Sequence, residues 1–514
     1  MSCRKRLKPT WAGVATSISE RQEAVVPARK DGTMRQNRHR EVTAAMEVVL
    51  GIDIGTSHIK SMALDATGCV QGVERARTPV AADGHGPVHV PRDVVEAVTG
   101  CVRRLLRHGP WEVVAVAVTS VGEEGVPLAG NLEPLYPAIA WYDGRTRELT
   151  RKWGAEEENI RMLTGLAPGW EYTLWKLLWL REQGIRPAWW LPLSDYVAWY
   201  MSGEMALSVS QACRTMLFNL ASRRLDEGLL DRFALPAAIF PPVKNGGEVL
   251  GAMRPAVARA WGLERAPTVA VGGHDHVVGA RAMGLATLGP DELLDSKGTA
   301  EALMCPREEF IPGRMRRFPD LVCGLQAEGD RYYVMGSLWS GAGLAGAARL
   351  VGAADIAALG EAAGTGVPGS HGLRYRPPDR IACGRLEGLG EGQERGDLAR
   401  SFFEGWSFAV RFMTERLEAF CGRSFARVVV CGGGSRVPLA LDVQAAVLNR
   451  PLRLGGVTEA AALGACLLAG RSLGMAVRPR DGGTLVRPRP GWVETYDGIY
   501  RREYLPLFGD KGGG

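Results

Sequence analysis

Across 514 residues the chain never strings together about 18 consecutive apolar residues, so no membrane span is expected. It has no G-x-x-x-x-G-K-[ST] segment, which excludes a Walker-type nucleotide site. The ten cysteines are scattered and none forms C-x-x-C. The basic start is not followed by an apolar stretch of about 7–15 residues, so it is not a secretory signal. The cysteines therefore read as reduced, mostly buried thiols of a cytoplasmic protein. Histidine is also sparse: there are eight, with none between His108 and His274 and none between His276 and His371. The body has no charge excess of either sign. Residues 1–46 hold ten Lys/Arg against four Asp/Glu, and the remainder holds 52 of each, so the net charge of +6 belongs to the start. A basic extension on a neutral body gives no nucleic-acid groove. Residues 1–46 read as a disordered or mis-assigned start rather than a targeting arm, because Met46 directly precedes the first convincing strand.

What is present is an ordinary globular composition, 46% apolar and 23% charged, long enough for two domains. "VVLGIDIGTSHIKSMALD" (48–65) reads as strand, glycine turn, strand, and "CVQGVERARTP" as a third strand. "PRDVVEAVTGCVRRLLRHG" (91–109) has helical apolar spacing, with Pro91 early and Gly109 at its end. "EVVAVAVTSV" then reads as a buried strand. Strands alternating with helices imply an α/β layered domain. The tryptophan-rich region 143–265 is more helical, and its indoles read as packing rather than as sugar-stacking platforms. Near residue 290 the pattern restarts with "DELLDSKGTAEALMCP". A long helix over about 397–421 places Leu398, Phe402, Trp406, Ala409, Met413, Leu417 and Phe420 on one face. The strand "RVVVCGGG" and a helix from about Leu439 follow. Each half thus repeats a strand–turn–strand with Gly-Thr and a later strand ending in glycines.

Three glycine turns, each after an expected strand, suit phosphate binding. Gly55 permits a tight turn that aims the amides and hydroxyls of Thr56 and Ser57 at phosphate oxygens. Asp53, at the strand end, would hold Mg²⁺ through water, and Lys60 would reach the same anion. "SKGTAE" supplies Gly298 and Thr299, and "VCGGGS" supplies Gly433 and Gly434. Between the halves lies "VGGHDHVVGA", in which Asp275 stands between two histidines. It reads as a metal site, as packing, or as a proton acceptor. A metal-dependent phosphohydrolase would bring more histidines than this chain supplies.

These segments together resemble the FGGY carbohydrate kinases, within the actin, hexokinase and heat-shock ATPase superfold. "GIDIGTSHIK" resembles the family's first phosphate motif, "AIAWYDGRT" its W-x-D-x-R segment, and "GGHDHVVGA" its catalytic-aspartate segment. "DSKGTAEA" resembles the second phosphate motif, and "CGGGSRVPLALDVQAAVLNRPL" with "TEAAALGACLLAG" the adenosine-site and C-terminal helices. The resemblance covers about residues 47–508. It implies two ribonuclease-H-like domains, here 47–285 and 286–508, with ATP in the interdomain cleft and a small sugar or polyol near the first. It implies ATP and Mg²⁺ as cofactors, and a homodimer as an assembly common among relatives. Asp275 falls where the family places the general base that takes the proton of the attacking hydroxyl. His276 falls where relatives touch the sugar; His274 is a packed neighbour. Glu123 or Glu124, in "VTSVGEEGVPL", falls in the segment that grips sugar hydroxyls. Asp143 and Arg145 either support that pocket or only pair with each other, and Gly341 would approach the nucleotide. Val437 departs from the pattern, because relatives commonly carry Asn or another polar residue near there. The "GGHDH" and "GEEG" forms resemble the fuculose-kinase-like branch, although no substrate follows from that. Two other functions fit parts of the pattern: an ATP-binding regulator of the same superfold, and a sugar-binding scaffold without catalysis.

Overall fold

The computed structural model describes residues 45–167, 169–298, 300–378, 384–456, 459–476 and 483–509. Of the expected extension 1–46, only Ala45 and Met46 fall among these, and Met46 already opens a strand.

Among the described residues two large sheets organise the chain, one of six strands and one of seven. The first comprises β1 (Met46–Ile54), β2 (His58–Asp65), β3 (Val70–Arg77), β4 (Trp111–Ser120), β5 (Val249–Ala252) and β6 (Thr268–His274), in the order β5-β6-β4-β1-β2-β3. Strands β1, β2 and β3 are antiparallel, β4 and β6 run parallel to β1, and β5 is antiparallel to β6. The second comprises β7 (Glu292–Lys297), β8 (Glu301–Arg307), β9 (Val322–Leu325), β10 (Tyr332–Leu338), β11 (Arg427–Cys431), β12 (Leu452–Leu454) and β13 (Thr484–Val486), ordered β9-β10-β8-β7-β11-β12-β13. Directions repeat: β7 is antiparallel to β8 and parallel to β11, which is parallel to β12. The duplication expected from the sequence is thus a repeated sheet topology. The whole is α/β, with two such units flanking a cleft.

Strand β1 shows why the first sheet reads as an unbroken apolar run: both of its faces are covered. Val48, Leu50, Ile52 and Ile54 pack toward helix α1 (Pro91–Leu105), while Val49 belongs to the core on the other face. A two-residue period puts Gly51 and Asp53 on that second face as well. There Gly51 admits another helix, since a Cβ would collide with the Ala462 carbonyl.

That helix, Ala460–Ser472, comes from the second half of the sequence, yet it packs along β1, β4, β6 and helix α2 (Asp275–Ala282) of the first. A division at residue 285 therefore follows the sheets but not this helix. The long helix α3 (Arg395–Cys421) starts with a capping box between Glu394 and Asp397. One apolar face was expected, but its first half is buried nearly all round. Phe402 and Phe403 face one cluster and Phe408 faces another with Tyr496, Tyr500 and Tyr504. Helices α4 (Pro438–Leu448) and α5 (Ala460–Ser472) complete the frame. Trp175 and Trp190 are fully buried in the core, as the packing reading requires. Among the described residues no single helix is long and apolar enough to cross a membrane.

Candidate active site

In an open α/β sheet, ligands gather in the crevice outside the carboxyl ends of the parallel strands, where side chains and turns converge. Here β1, β4 and β6 end side by side: Asp53 is paired with Thr119, Ile54 with Ser120, and Ser120 with His274. In the turn after β1, the Gly55 N–H donates to the His58 carbonyl at 3.1 Å. Trp141 Nε1 donates to Thr56 Oγ1 at 2.9 Å. Asp53 and Lys60 face each other across the hairpin, with Nζ 3.3 Å from Asp53 Oδ2 and 2.9 Å from Glu459 Oε2. Burial outweighs Lys60 and pushes Asp53 up to about 6. Its Oδ1 has no hydrogen-bond partner.

Strand β6 delivers Asp275 through two glycines that need to be glycine. A Cβ on Gly272 would run into the Val118 carbonyl, and Gly273 has φ +149° with Ser210 Oγ where a Cβ would stand. The main chain is then fixed by its own donors. The His274 N–H donates to Ser210 Oγ at 3.0 Å and the His276 N–H to Asp275 Oδ1 at 2.6 Å. Burial pushes the Asp275 carboxyl up to about 7 even though it opens helix α2, whose dipole favours an anion. His274 Nε2 lies 3.2 Å from Asp275 Oδ1. Burial, and then the Arg214 guanidinium, hold His274 well below its ordinary value, so the contact is not an ion pair near neutral pH. The same causes lower His276. Among the described residues no three His, Cys, Asp or Glu side chains gather as a metal-holding group.

Adjacent glutamates part company after β4. Glu123 adopts a left-handed φ of +66°, held from two sides. Its carbonyl accepts from Lys176 Nζ at 2.8 Å, and its carboxylate accepts from Arg214 Nε at 2.5 Å. It lines the central cavity with Asp53, Trp141, Arg214, Asp275 and His276. Glu124 does not. Its carboxylate turns into the fold, accepts the Trp141 N–H at 2.9 Å and lies 3.5 Å from His89 Nε2. Of the two glutamates expected to grip substrate, Glu123 lines the cavity and Glu124 does not: the left-handed turn at Glu123 separates their side chains, and the Trp141 N–H and His89 hold Glu124 inside the fold. Asp143 and Arg145 pair with each other and with Asp83, at 2.7 Å for both Arg145 Nη2 to Asp143 Oδ2 and Arg145 Nη1 to Asp83 Oδ2. Neither lines the cavity.

On the facing half, β7 and β11 end at Lys297 and Cys431, ahead of Gly298 and of Gly432 to Gly434. Gly298, Gly433 and Gly434 line a second cavity of about 510 Å³ with Gly341, Val437 and Gln444. Thr299 lies outside the described residues. The central cavity, of about 790 Å³, runs from Asp275 and Thr56 to Gly298 and Gly433, so it joins the first turn to the other two. Trp141 stacks on Trp339 across this space, with ring centroids 5.1 Å apart and planes 17° from parallel.

Two family profiles match the chain, the N-terminal domain of the FGGY carbohydrate kinases over residues 48–282 and their C-terminal domain over 309–473. The chain belongs to the FGGY family of carbohydrate kinases. FGGY enzymes use ATP as phosphate donor to sugars or polyols, and this chain is such a phosphotransferase. Among its relatives, glycerol kinase of Gloeobacter violaceus is 28% identical over 468 residues, 85% of this chain and 92% of that one. L-fuculokinase of Escherichia coli O157:H7 is 25% identical, over 85% of this chain and 94% of that one. In fold, the chain is similar to the crystal structure of xylulose kinase from Rhodospirillum rubrum. That likeness has a TM-score of 0.80 at 24% identity, over 90% of this chain and 98% of that one.

Sequence reasoning missed Arg214, Lys297 and Trp339. Lys297 was visible beside Gly298. Arg214, 91 residues from Glu123, carried no local signal, because only the fold brings the two together.

Proposed function

We propose that the protein transfers the γ-phosphate of ATP to a hydroxyl of a small sugar or polyol, with Asp275 as general base. One observation carries the reading. Asp275 is the carboxylate at the first sheet's open end that has no cation pair, and it borders a cavity reaching the glycine turns of both halves. A carboxyl held up at about 7 is half ionised near neutral pH, where a general base works best. The attacking hydroxyl passes its proton to Asp275 as its oxygen bonds to the γ-phosphorus, and the bond from that phosphorus to the bridging oxygen breaks, so that ADP leaves; phosphoryl transfer needs little else beyond positioning and charge.

The remaining residues take roles that suit their places. Gly55, Thr56, Ser57 and Lys60 receive the terminal phosphate; Gly298, Gly341, Gly433 and Gly434 receive the rest of the nucleotide, and Thr299 joins them on its place in the sequence motif alone. Glu123, oriented by Arg214, and His276 contact acceptor hydroxyls. The residues also suit a magnesium ion. Asp53 Oδ1 is buried without a hydrogen-bond partner, as a carboxylate that holds a hydrated ion would be. When bound, the ion offsets phosphate charge.

Release of ADP from purified protein, measured across a panel of ketoses, aldoses and polyols, tests the proposal. Strong stimulation by one acceptor, lost in Asp275→Asn, is the expected result. ATP turnover that is indifferent to every acceptor favours a regulator-like ATPase, and absence of nucleotide binding favours a catalytically silent sugar binder.

A further inference from the structure

The second phosphate turn holds a cation that the proposed function has not used. Lys297 closes β7 and faces Glu301 directly across the hairpin. Its Nζ pairs with Glu301 and lies 3.1 Å from Asp295 Oδ2. Its stem is laid against the third glycine turn. A Cβ on Gly434 would stand 2.9 Å from Lys297 Cβ, and one on Gly432 would run into the Lys297 carbonyl. Lys297 is thus clamped between the second and third turns, with its side chain about seven-eighths buried.

The two cavities share five lining residues: Ser57, Lys297, Gly298, Trp406 and Gly433. Those five form the waist between the space beside Val437 and the space beside Asp275. If the nucleoside occupies the first and the acceptor the second, the polyphosphate chain has to pass this waist. Lys297 is the one charged residue of the five. Lys60 and Arg214 line the central cavity but not the other, so they stand off the waist.

We infer that Lys297 is a donor-phosphate ligand, exchanging a carboxylate partner for an oxygen of the polyphosphate when nucleotide binds. The inference rests on the kinase reading above and extends it to a named residue of the second half. The two carboxylates keep the ammonium charged and placed before nucleotide arrives. A pre-placed cation loses less freedom on binding than a free lysine would.

The test compares ADP and adenosine, which differ only by the phosphates. Removing Lys297 alone would strand two buried carboxylates, so Lys297→Met is made together with Glu301→Gln and compared with Glu301→Gln alone. Calorimetry should find ADP roughly 10- to 100-fold weaker in the double variant, the scale of a lost charge-assisted hydrogen bond, with adenosine unchanged. Lys297→Arg should recover part of the ADP affinity. Equal ADP affinity in the double variant, or parallel weakening of ADP and adenosine, overturns the inference. If the double variant does not fold, acetic anhydride labelling of the intact protein decides. ADP but not adenosine should protect Lys297 from acetylation, and equal labelling with and without ADP overturns the inference. Wild-type protein that binds no ADP at all would defeat the kinase reading itself. Wild-type protein that binds ADP through a waist insensitive to Lys297 defeats the inference alone.

Discussion

The two halves use one frame for different work. Strands β1, β2, β4 and β6 of the first half match β7, β8, β11 and β12 of the second in order and direction. Helix α2 follows β6 and helix α5 follows β12, and the two helices pack together, so closely that a Cβ on Gly464 would meet the Val278 carbonyl. A carboxylate opens each helix: Asp275 begins α2, and Glu459 directly precedes α5. Glu459 is spent on structure, paired with Lys60 and Arg75 of the first half. Asp275 has no such cation and borders open space. On the proposed function, the repeated topology does not decide where the base sits. What differs between the two positions is which carboxylate is left unpaired.

The comparison breaks most sharply at Asp275. Asp275→Asn keeps the shape but removes the proton acceptor, so kcat should fall by about 10²- to 10⁴-fold. KM for ATP should hardly move, since the loss falls on the transition state. Glu459→Gln, at the matching point of the second half, should cost far less in kcat. Steady-state kinetics of the two variants side by side would undo the contrast if their losses were equal. The next largest effect belongs to the second half. Gly298→Val puts a branched side chain at the waist, and ATP should bind about 10- to 100-fold more weakly, the scale of an overpacked contact. Affinity for the acceptor should stay as it was, and calorimetry with each ligand separately checks this.

Much of this arrangement was legible in the sequence because it is local. The turn at Gly55, the strand running into Gly272 and Gly273, and the hairpin around Gly298 are each written in consecutive residues. The repeat of a strand–turn–strand and a later glycine-ended strand in each half was legible too, while the strand order was not. What was not legible depends on contacts between distant segments. Arg214 reaches Glu123 only through the fold, and Glu123 and Glu124 part because one is pinned by Lys176 and the other by Trp141. The helix Ala460–Ser472 leaves its own half in packing, which no boundary drawn along the chain can express.

That parting of neighbours predicts two different phenotypes. Glu123→Gln weakens a carboxylate aimed at the cavity, so KM for the acceptor should rise about tenfold while KM for ATP stays put. Glu124→Gln instead disturbs a buried acceptor beside His89, which should cost about 1–3 kcal/mol of stability and leave KM for the acceptor unchanged. Acceptor kinetics and urea unfolding of both variants check this, and a KM effect in Glu124→Gln would reverse the assignment.

The smallest effect is a gain in stability. Asp275 is held at about 7 in the folded protein, mainly by burial, against an ordinary 3.8. A group whose folded pKa is raised binds its proton more tightly in the native state, so its contribution is full below about 3.8. That contribution drains away as pH rises toward 7, because the unfolded chain ionises freely and the buried carboxyl does so at a cost. Asn carries no such cost at any pH. The melting temperature of Asp275→Asn should therefore exceed that of the wild type by an amount that grows between about pH 4 and pH 7. The gain should then stay level at roughly 1–3 °C. Activity runs the other way over the same window, since only the ionised carboxylate accepts a proton, and wild-type kcat/KM should climb up to about pH 7. Thermal melts at pH 4.5, 6 and 8 decide the matter. A gain that does not grow with pH would mean that Asp275 is ionised throughout and that its burial does not set the pH dependence of the enzyme.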